Sequence, residues 1–176
     1  MKSTPKFLEQ LKDITTFVFD VDGVLTDGGV FVTDTGDHMR QYNIKDGYAL
    51  QLAIKSGYHV CAISGSNAKN IKLRLNDLGV RNVYLGCKDK LKTFEKYLLD
   101  NNIDPETVLY MGDDIPDLEV MKLSGLPVCP ADAAEEIQGI SHYISPIPGG
   151  KGCARDVIEK VMKVQGKWMS KVAYSW

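Results

Sequence analysis

Thr16-Phe17-Val18-Phe19-Asp20-Val21-Asp22-Gly23 and Val108-Leu109-Tyr110-Met111-Gly112-Asp113-Asp114-Ile115-Pro116-Asp117 decide the fold. Each opens with a short apolar run that is bounded at once by Gly and Asp, the pattern of a parallel strand buried on both faces. In a doubly wound sheet, the residues that follow the carboxyl ends of the strands line the ligand crevice. Four or five carboxylates gathered there repel one another and cannot all stay ionised without a cation. A hard divalent ion with oxygen ligands, Mg²⁺, resolves that conflict.

Outward from these two segments, strand and helix patterns alternate, which predicts an α/β fold with a doubly wound, mostly parallel sheet. After the first strand, Val30-Phe31-Val32 and an arm near His38-Met39-Arg40 are joined through Asp34-Thr35-Gly36-Asp37, a projecting β-hairpin within about 28–42. A helix is predicted from about Tyr48 to Lys55 with Asp46 as N-cap, then a strand over His59–Ile63. Further helices are predicted from about Ala68 to Leu78, Lys90 to Asp100, Pro116 to Leu123 and Ala154 to Val164. Strands are expected at Val83–Leu85, near Val128 and at Tyr143-Ile144. With no repeat and no domain-sized linker, residues 1–176 read as one domain carrying a hairpin insertion and a tail from about 167 to 176.

Composition narrows the function classes. A net charge of −2 with no Lys/Arg run argues against a nucleic-acid partner. Cys61, Cys87, Cys129 and Cys153 are scattered singly, as expected of free thiols in a reducing compartment rather than of a disulfide scaffold or a Cys metal site. No stretch is long enough to span a bilayer, and a basic-then-apolar leader pattern is not seen, so a cytoplasmic location is expected.

Asp20 comes first after its strand, where a carboxylate can attack a phosphoryl group. Asp22, two positions on, is placed to protonate a leaving oxygen and then activate water. An isolated Asp-x-Asp-Gly is more often only a capped turn, and the second cluster changes those odds. Asp113 and Asp114 can complete a metal shell with Asp20 and a backbone carbonyl. Asp117 fits two roles, an outer carboxylate behind that shell or an acidic residue favouring its helix N-terminus. Ser64 offers a hydroxyl at a third strand end, although Ser-Gly after a strand is commonly just a turn. Lys90 sits at a helix start, a poor place for a cation unless an anion faces it; the plain alternative is a solvated lysine.

Asp20-Val21-Asp22-Gly23-Val24-Leu25-Thr26-Asp27-Gly28, Ser64, Lys90 and Gly112-Asp113-Asp114 resemble, in order, the four motifs of the haloacid-dehalogenase phosphatases. The hairpin, Lys45-Asp46-Gly47-Tyr48, and Gly149-Gly150-Lys151-Gly152 with Arg155 are similar to the capless 3-deoxy-D-manno-octulosonate 8-phosphate phosphatase family. The resemblance covers nearly the whole chain and implies a Rossmann-like fold with no large cap domain. It implies that Asp20 is the nucleophile and Asp22 the acid/base, that Mg²⁺ binds Asp20, the Asp22 carbonyl and Asp113, and that Ser64 and Lys90 hold phosphate. By the same resemblance, Asp114 and Asp117 position the metal, and Lys45, Asp46, Gly65, Arg74, Gly150 and Arg155 are substrate-binding candidates. The implied substrate is a phosphorylated sugar acid of lipopolysaccharide precursor synthesis, and the implied assembly a homotetramer in which a neighbouring subunit closes each site.

One departure stands out. Many relatives carry Gly-Arg after the motif-two hydroxyl, and here the positions read Gly65-Ser66-Asn67. Arg74 and Arg155 are the candidates to grip the sugar carboxylate bidentately in its place, each with a surface arginine as the bland alternative. The tail, with Trp168, Tyr174 and Trp176, is either packed on its own core or a lid over a neighbouring site. Three other readings compete: a phosphatase for a nine-carbon sugar acid 9-phosphate, a signalling receiver domain, and an inactive binding module.

Overall fold

The computed structural model describes residues 4–175, with side chains from Phe7 onward. Six strands, β1 (Thr16–Phe19), β4 (His59–Ile63), β5 (Asn82–Tyr84), β6 (Val108–Met111), β7 (Leu126–Cys129) and β8 (Tyr143–Ile144), form one wholly parallel sheet in the order β5-β4-β1-β6-β7-β8. The expected hairpin is present as β2 (Phe31–Val32) and β3 (His38–Met39), paired antiparallel and separate from the main sheet.

The helices are α1 (Thr4–Gln10), α2 (Ile44–Lys55), α3 (Lys69–Asp77), α4 (Lys90–Asn101), α5 (Leu118–Leu123), α6 (Glu135–Ile140) and α7 (Cys153–Val164). Side-chain alternation along the strands divides them between the two faces. Phe17 and Phe19 of β1, Val60 and Ala62 of β4 and Leu109 and Met111 of β6 pack with Leu50, Ile71 and Ile158 from α2, α3 and α7. Val18, Cys61, Ile63 and Tyr110 point the other way, onto Phe94, Met121 and Ile137 from α4, α5 and α6. The central strands β1 and β6 are therefore buried on both faces, which is why they read as unbroken apolar runs rather than alternating ones.

Several boundaries differ from the sequence expectation, each for a physical reason. Helix α2 starts at Ile44 because Asn43, not Asp46, is its N-cap, accepting the Lys45 N–H. Asp46 is buried on the inner side of the first turn and is committed to α7. Pro116 lies in a 3₁₀ turn (Ile115–Asp117) that precedes α5 instead of belonging to it. Helix α6 was not anticipated; its six residues bury one side chain, Ile137, too few for a periodic signal.

The tail takes the packed alternative in this chain. Trp168 is 7 % exposed and meets the Tyr48 ring edge-on at 6.3 Å. The Tyr48 hydroxyl donates to the Ala173 carbonyl, and Lys55 Nζ donates to the Ser175 carbonyl at 3.0 Å. Trp176 lies outside the described residues.

Candidate active site

Register brings the chemistry together. Phe19 of β1 stands beside Ala62 of β4 and Met111 of β6, so Asp20, Ser64 and Asp113 emerge from three adjacent strand ends. The Asp20 N–H donates to the Met111 carbonyl at 3.0 Å, locking the two loops at their origin. Beyond Asp20 the chain turns tightly through Val21–Leu25, with Gly23 at φ +90°. A Cβ on Gly23 would fall on the Asp113 carboxylate, so glycine is required both for the turn and for that close approach.

Carboxylate oxygens of Asp20, Asp113 and Asp117 lie within 4.8 Å of one another. Lys90, the first residue of α4, reaches Asp20 Oδ1 at 2.9 Å and Asp117 Oδ1 at 2.8 Å. The anion that offsets its unfavourable helix position is thus a pair of carboxylates. Asp117 is fully buried and accepts two further bonds, from the Tyr110 hydroxyl at 2.8 Å and the Asp113 N–H at 3.3 Å. It thereby ties the lysine to the Asp113 loop while standing at the N-terminus of α5.

One ammonium does not balance three carboxylates at this depth. Burial, and then the charge of Asp117, push the Asp20 carboxyl well above its ordinary range against the opposing pull of Lys90. Asp113 is raised by the same two causes in the same order, and its Oδ1 is buried without a hydrogen-bond partner. Desolvated carboxylate oxygens within reach of one another, one of them without a hydrogen-bond partner, are the donor set a divalent hard cation takes. Mg²⁺ therefore fits these residues.

Ser64 is buried at the end of β4, its backbone tied to Tyr84 and Cys87 at 2.9 and 3.0 Å, and its Oγ accepts the Ser66 N–H at 3.1 Å. Gly65 forms the exposed turn between them. Asp22 does not join the carboxylate cluster. Its side chain faces Arg40, which follows β3, with Nε on Oδ1 at 2.5 Å and Nη2 on Oδ2 at 3.1 Å.

Other candidates stand elsewhere. Asp114 is exposed and accepts from the Ile115 N–H at 2.8 Å, capping the 3₁₀ turn instead of entering the Asp20, Asp113 and Asp117 group. Asp46, 2 % exposed, accepts the Arg155 N–H on Oδ1 at 2.7 Å and so caps α7, while its Oδ2 is buried without a hydrogen-bond partner. Burial raises its carboxyl to about 6 against the pull of the α7 amides. The Arg155 guanidinium is stacked 5.1 Å over Trp168 and 5.8 Å over Tyr48 and pairs with Glu159 at 3.2 Å, so it clamps the tail. Lys45 is exposed on the same groove, beside Arg155 and Lys151. Arg74 lines a small cavity with Tyr42, Asp46 and Gly47. Gly150 donates to the Val24 carbonyl at 2.9 Å, and a Cβ on Gly149 or Gly150 would strike the backbone of Gly23, Thr26 or Asp27. The glycine pair is a brace behind the Asp20–Asp22 turn.

Two residues at the site were not singled out from sequence. Tyr110 carried a signal, since a hydroxyl inside a fully buried strand needs a partner. Arg40 carried only its position, one residue beyond the returning arm of the hairpin.

Comparison with known proteins agrees with this geometry. The family described as haloacid dehalogenase-like hydrolase matches residues 86–154. The 3-deoxy-D-manno-octulosonate 8-phosphate phosphatase of Yersinia pestis is 35% identical over 160 residues, 91% of this chain and 86% of that protein. The enzyme of the same name from Escherichia coli K12 is 36% identical, over 91% of this chain and 85% of its own length. Among solved structures, the 3-deoxy-D-manno-octulosonate 8-phosphate phosphatase of Moraxella catarrhalis in complex with magnesium, phosphate and KDO superposes with a TM-score of 0.93. It is 28% identical and covers 98% of this chain and 99% of that one.

Proposed function

This chain belongs to the 3-deoxy-D-manno-octulosonate 8-phosphate phosphatases of the haloacid dehalogenase-like hydrolases, and from that premise we propose that it hydrolyses this sugar-acid phosphate to the free acid and phosphate. It is a phosphoric monoester hydrolase with Mg²⁺ as its cofactor. The observation that carries the reading is the convergence of Asp20, Asp113 and Ser64 at three neighbouring strand ends, with the Lys90 ammonium on Asp20.

In this reading Asp20 Oδ attacks the phosphorus and becomes an aspartyl-phosphate, which water then hydrolyses. Asp22 donates a proton to the departing sugar oxygen and withdraws one from the attacking water. Ser64, with the amides after β4, and Lys90 bind the phosphate oxygens. Asp117 and Tyr110 hold Lys90 in place from below, so the ammonium is aimed before substrate arrives. Mg²⁺, held by Asp20, the Asp22 carbonyl and Asp113, supplies positive charge that lets an anionic nucleophile approach an anionic ester. Asp114 acts only through its turn.

We further propose that the whole of residues 1–176 works as one domain, in the cytoplasm, as a homotetramer. Phe31 and Val32 are 67 % and 66 % exposed on the hairpin, the kind of apolar projection that an assembly covers. The test is Mg²⁺-dependent phosphate release measured side by side on the eight-carbon and nine-carbon sugar-acid phosphates. A clear preference for the eight-carbon acid is expected; equal turnover, or preference for the nine-carbon acid, defeats the substrate assignment. Equilibrium sedimentation tests the assembly, and a monomer would reject it.

A further inference from the structure

The cationic groups around the crevice are each committed, but to different kinds of partner. Lys90 is held between Asp20 and Asp117, Arg155 by Glu159 and two rings, and Lys151 by Asp27 at 3.0 Å. Arg40 is different. Its side chain is only 4 % exposed, and its planar fork is presented to a carboxylate, Asp22, whose own side chain is 32 % exposed at the edge of the crevice. The same Nη2 donates to Ser66 Oγ at 3.0 Å, and Ser66 N donates to Ser64 Oγ at 3.1 Å. The guanidinium thus stands two hydrogen bonds from the phosphate-side hydroxyl.

A groove of about 550 Å³ opens on this side, lined by Gly36, Asp37 and His38 of the hairpin and Ser66, Asn67 and Asn70 opposite. That volume suits a small sugar. The hairpin is anchored over it by Arg40 Nη1 and Asn70 Nδ2, which share the His38 carbonyl at 3.2 and 2.9 Å. Arg40 therefore stands behind two residues of the groove wall, bonded to the His38 carbonyl and to Ser66 Oγ.

We infer that Arg40 is the specificity-determining residue that binds the substrate's carboxylate, exchanging Asp22 for it when substrate enters. This deepens the function proposed above and rests on it. In the free protein Asp22 occupies the fork in the manner of the ligand. Arrival of a carboxylate-bearing phosphate both satisfies the fork and releases Asp22 toward the leaving oxygen. Fork-to-carboxylate pairing is geometrically specific, and lysine does not reproduce it.

The experiment compares kcat/KM for 3-deoxy-D-manno-octulosonate 8-phosphate with that for a hexose 6-phosphate, which has no carboxylate, in the Mg²⁺-loaded wild type, Arg40→Gln and Arg40→Lys. A hydrogen-bonded charged partner is worth ~10–100-fold, so the ratio of the two specificity constants should fall by that factor in Arg40→Gln. Arg40→Lys should recover only part of it. Calorimetric affinity for the free sugar acid should weaken by a similar factor, a binding readout independent of turnover. Variants whose discrimination and acid affinity match the wild type overturn the assignment, as do variants that lose both substrates in equal proportion. A wild type that does not favour the acid over the hexose phosphate instead defeats the proposed substrate.

Discussion

Replacing Lys90 by methionine keeps the apolar stem and removes the ammonium that reaches both Asp20 and Asp117. Deleting one partner of a buried ion pair costs ~3–5 kcal/mol, because the charge left behind is uncompensated. Here the loss depends on pH, and its sign follows from Asp20. That carboxyl already lies above its ordinary range, chiefly through burial, and Lys90 opposes the shift. A carboxyl raised in the folded state supports the fold fully when protonated and withdraws that support as pH rises through its folded value. Without Lys90 the folded value climbs further, so the variant falls behind the wild type progressively as pH increases. Urea unfolding in chelator should give a deficit of ~3–5 kcal/mol near pH ~9.5 that shrinks to ~1–2 kcal/mol near pH ~7, below the Asp20 folded value of about 8. Saturating Mg²⁺ should return part of it at the higher pH, about 2.7 kcal/mol at a hundredfold excess over the dissociation constant. A deficit that is equal at both pH values, or below ~1 kcal/mol throughout, would refute the charge balance assigned to this cluster.

Other expectations follow from the same contacts. Trp168→Ala removes a side chain that is 7 % exposed and stacked against Tyr48 and Arg155, and should lower unfolding free energy by ~3 kcal/mol in denaturant titration; a loss under ~1 kcal/mol would mean that the tail is not part of the core. Asp46→Asn keeps an acceptor for α7 and removes a carboxyl raised from 3.8 to about 6, so the variant should gain on the wild type by up to ~3 kcal/mol between about pH 3 and pH 7, and a pH-independent difference would contradict that cause. Asp114→Asn should leave kcat and the Mg²⁺ requirement within about threefold, because its carboxylate faces the Ile115 N–H, and a hundredfold loss would place it in the metal shell after all.

The sheet and its two acidic strand ends were legible because burial on both faces leaves an unmistakable mark: β1 is Thr16 and three apolar residues followed by Asp20, and β6 is Val108–Met111 followed by Gly112 and Asp113. Asp20, Asp113 and Lys90 could be named because a strand end and a helix start place a residue almost without reference to the rest of the chain. What could not be read were choices between partners distant in sequence. Asp46 looks like an N-cap of its own helix, yet its acceptor serves an amide 109 positions away. Arg155 looks like a ligand group, and nothing in the sequence around it signals that two rings and Glu159 also hold it. Arg40 lies 18 positions from Asp22, and only the docking of the hairpin brings them together. Local chemistry survives translation into sequence; the pairing of charges across elements does not.

The central claim, that Asp20 carries the phosphoryl group, is tested most directly by trapping it. Asp22→Asn protein, loaded with Mg²⁺, is mixed with excess 3-deoxy-D-manno-octulosonate 8-phosphate, quenched in acid, digested and analysed by mass spectrometry. The account predicts that the peptide containing Asp20 gains the mass of one phosphoryl group, and that the gain vanishes in Asp20→Asn/Asp22→Asn. Turnover of the wild type with no phosphorylated Asp20 peptide in the trapped variant, or the label on a different residue, would contradict it.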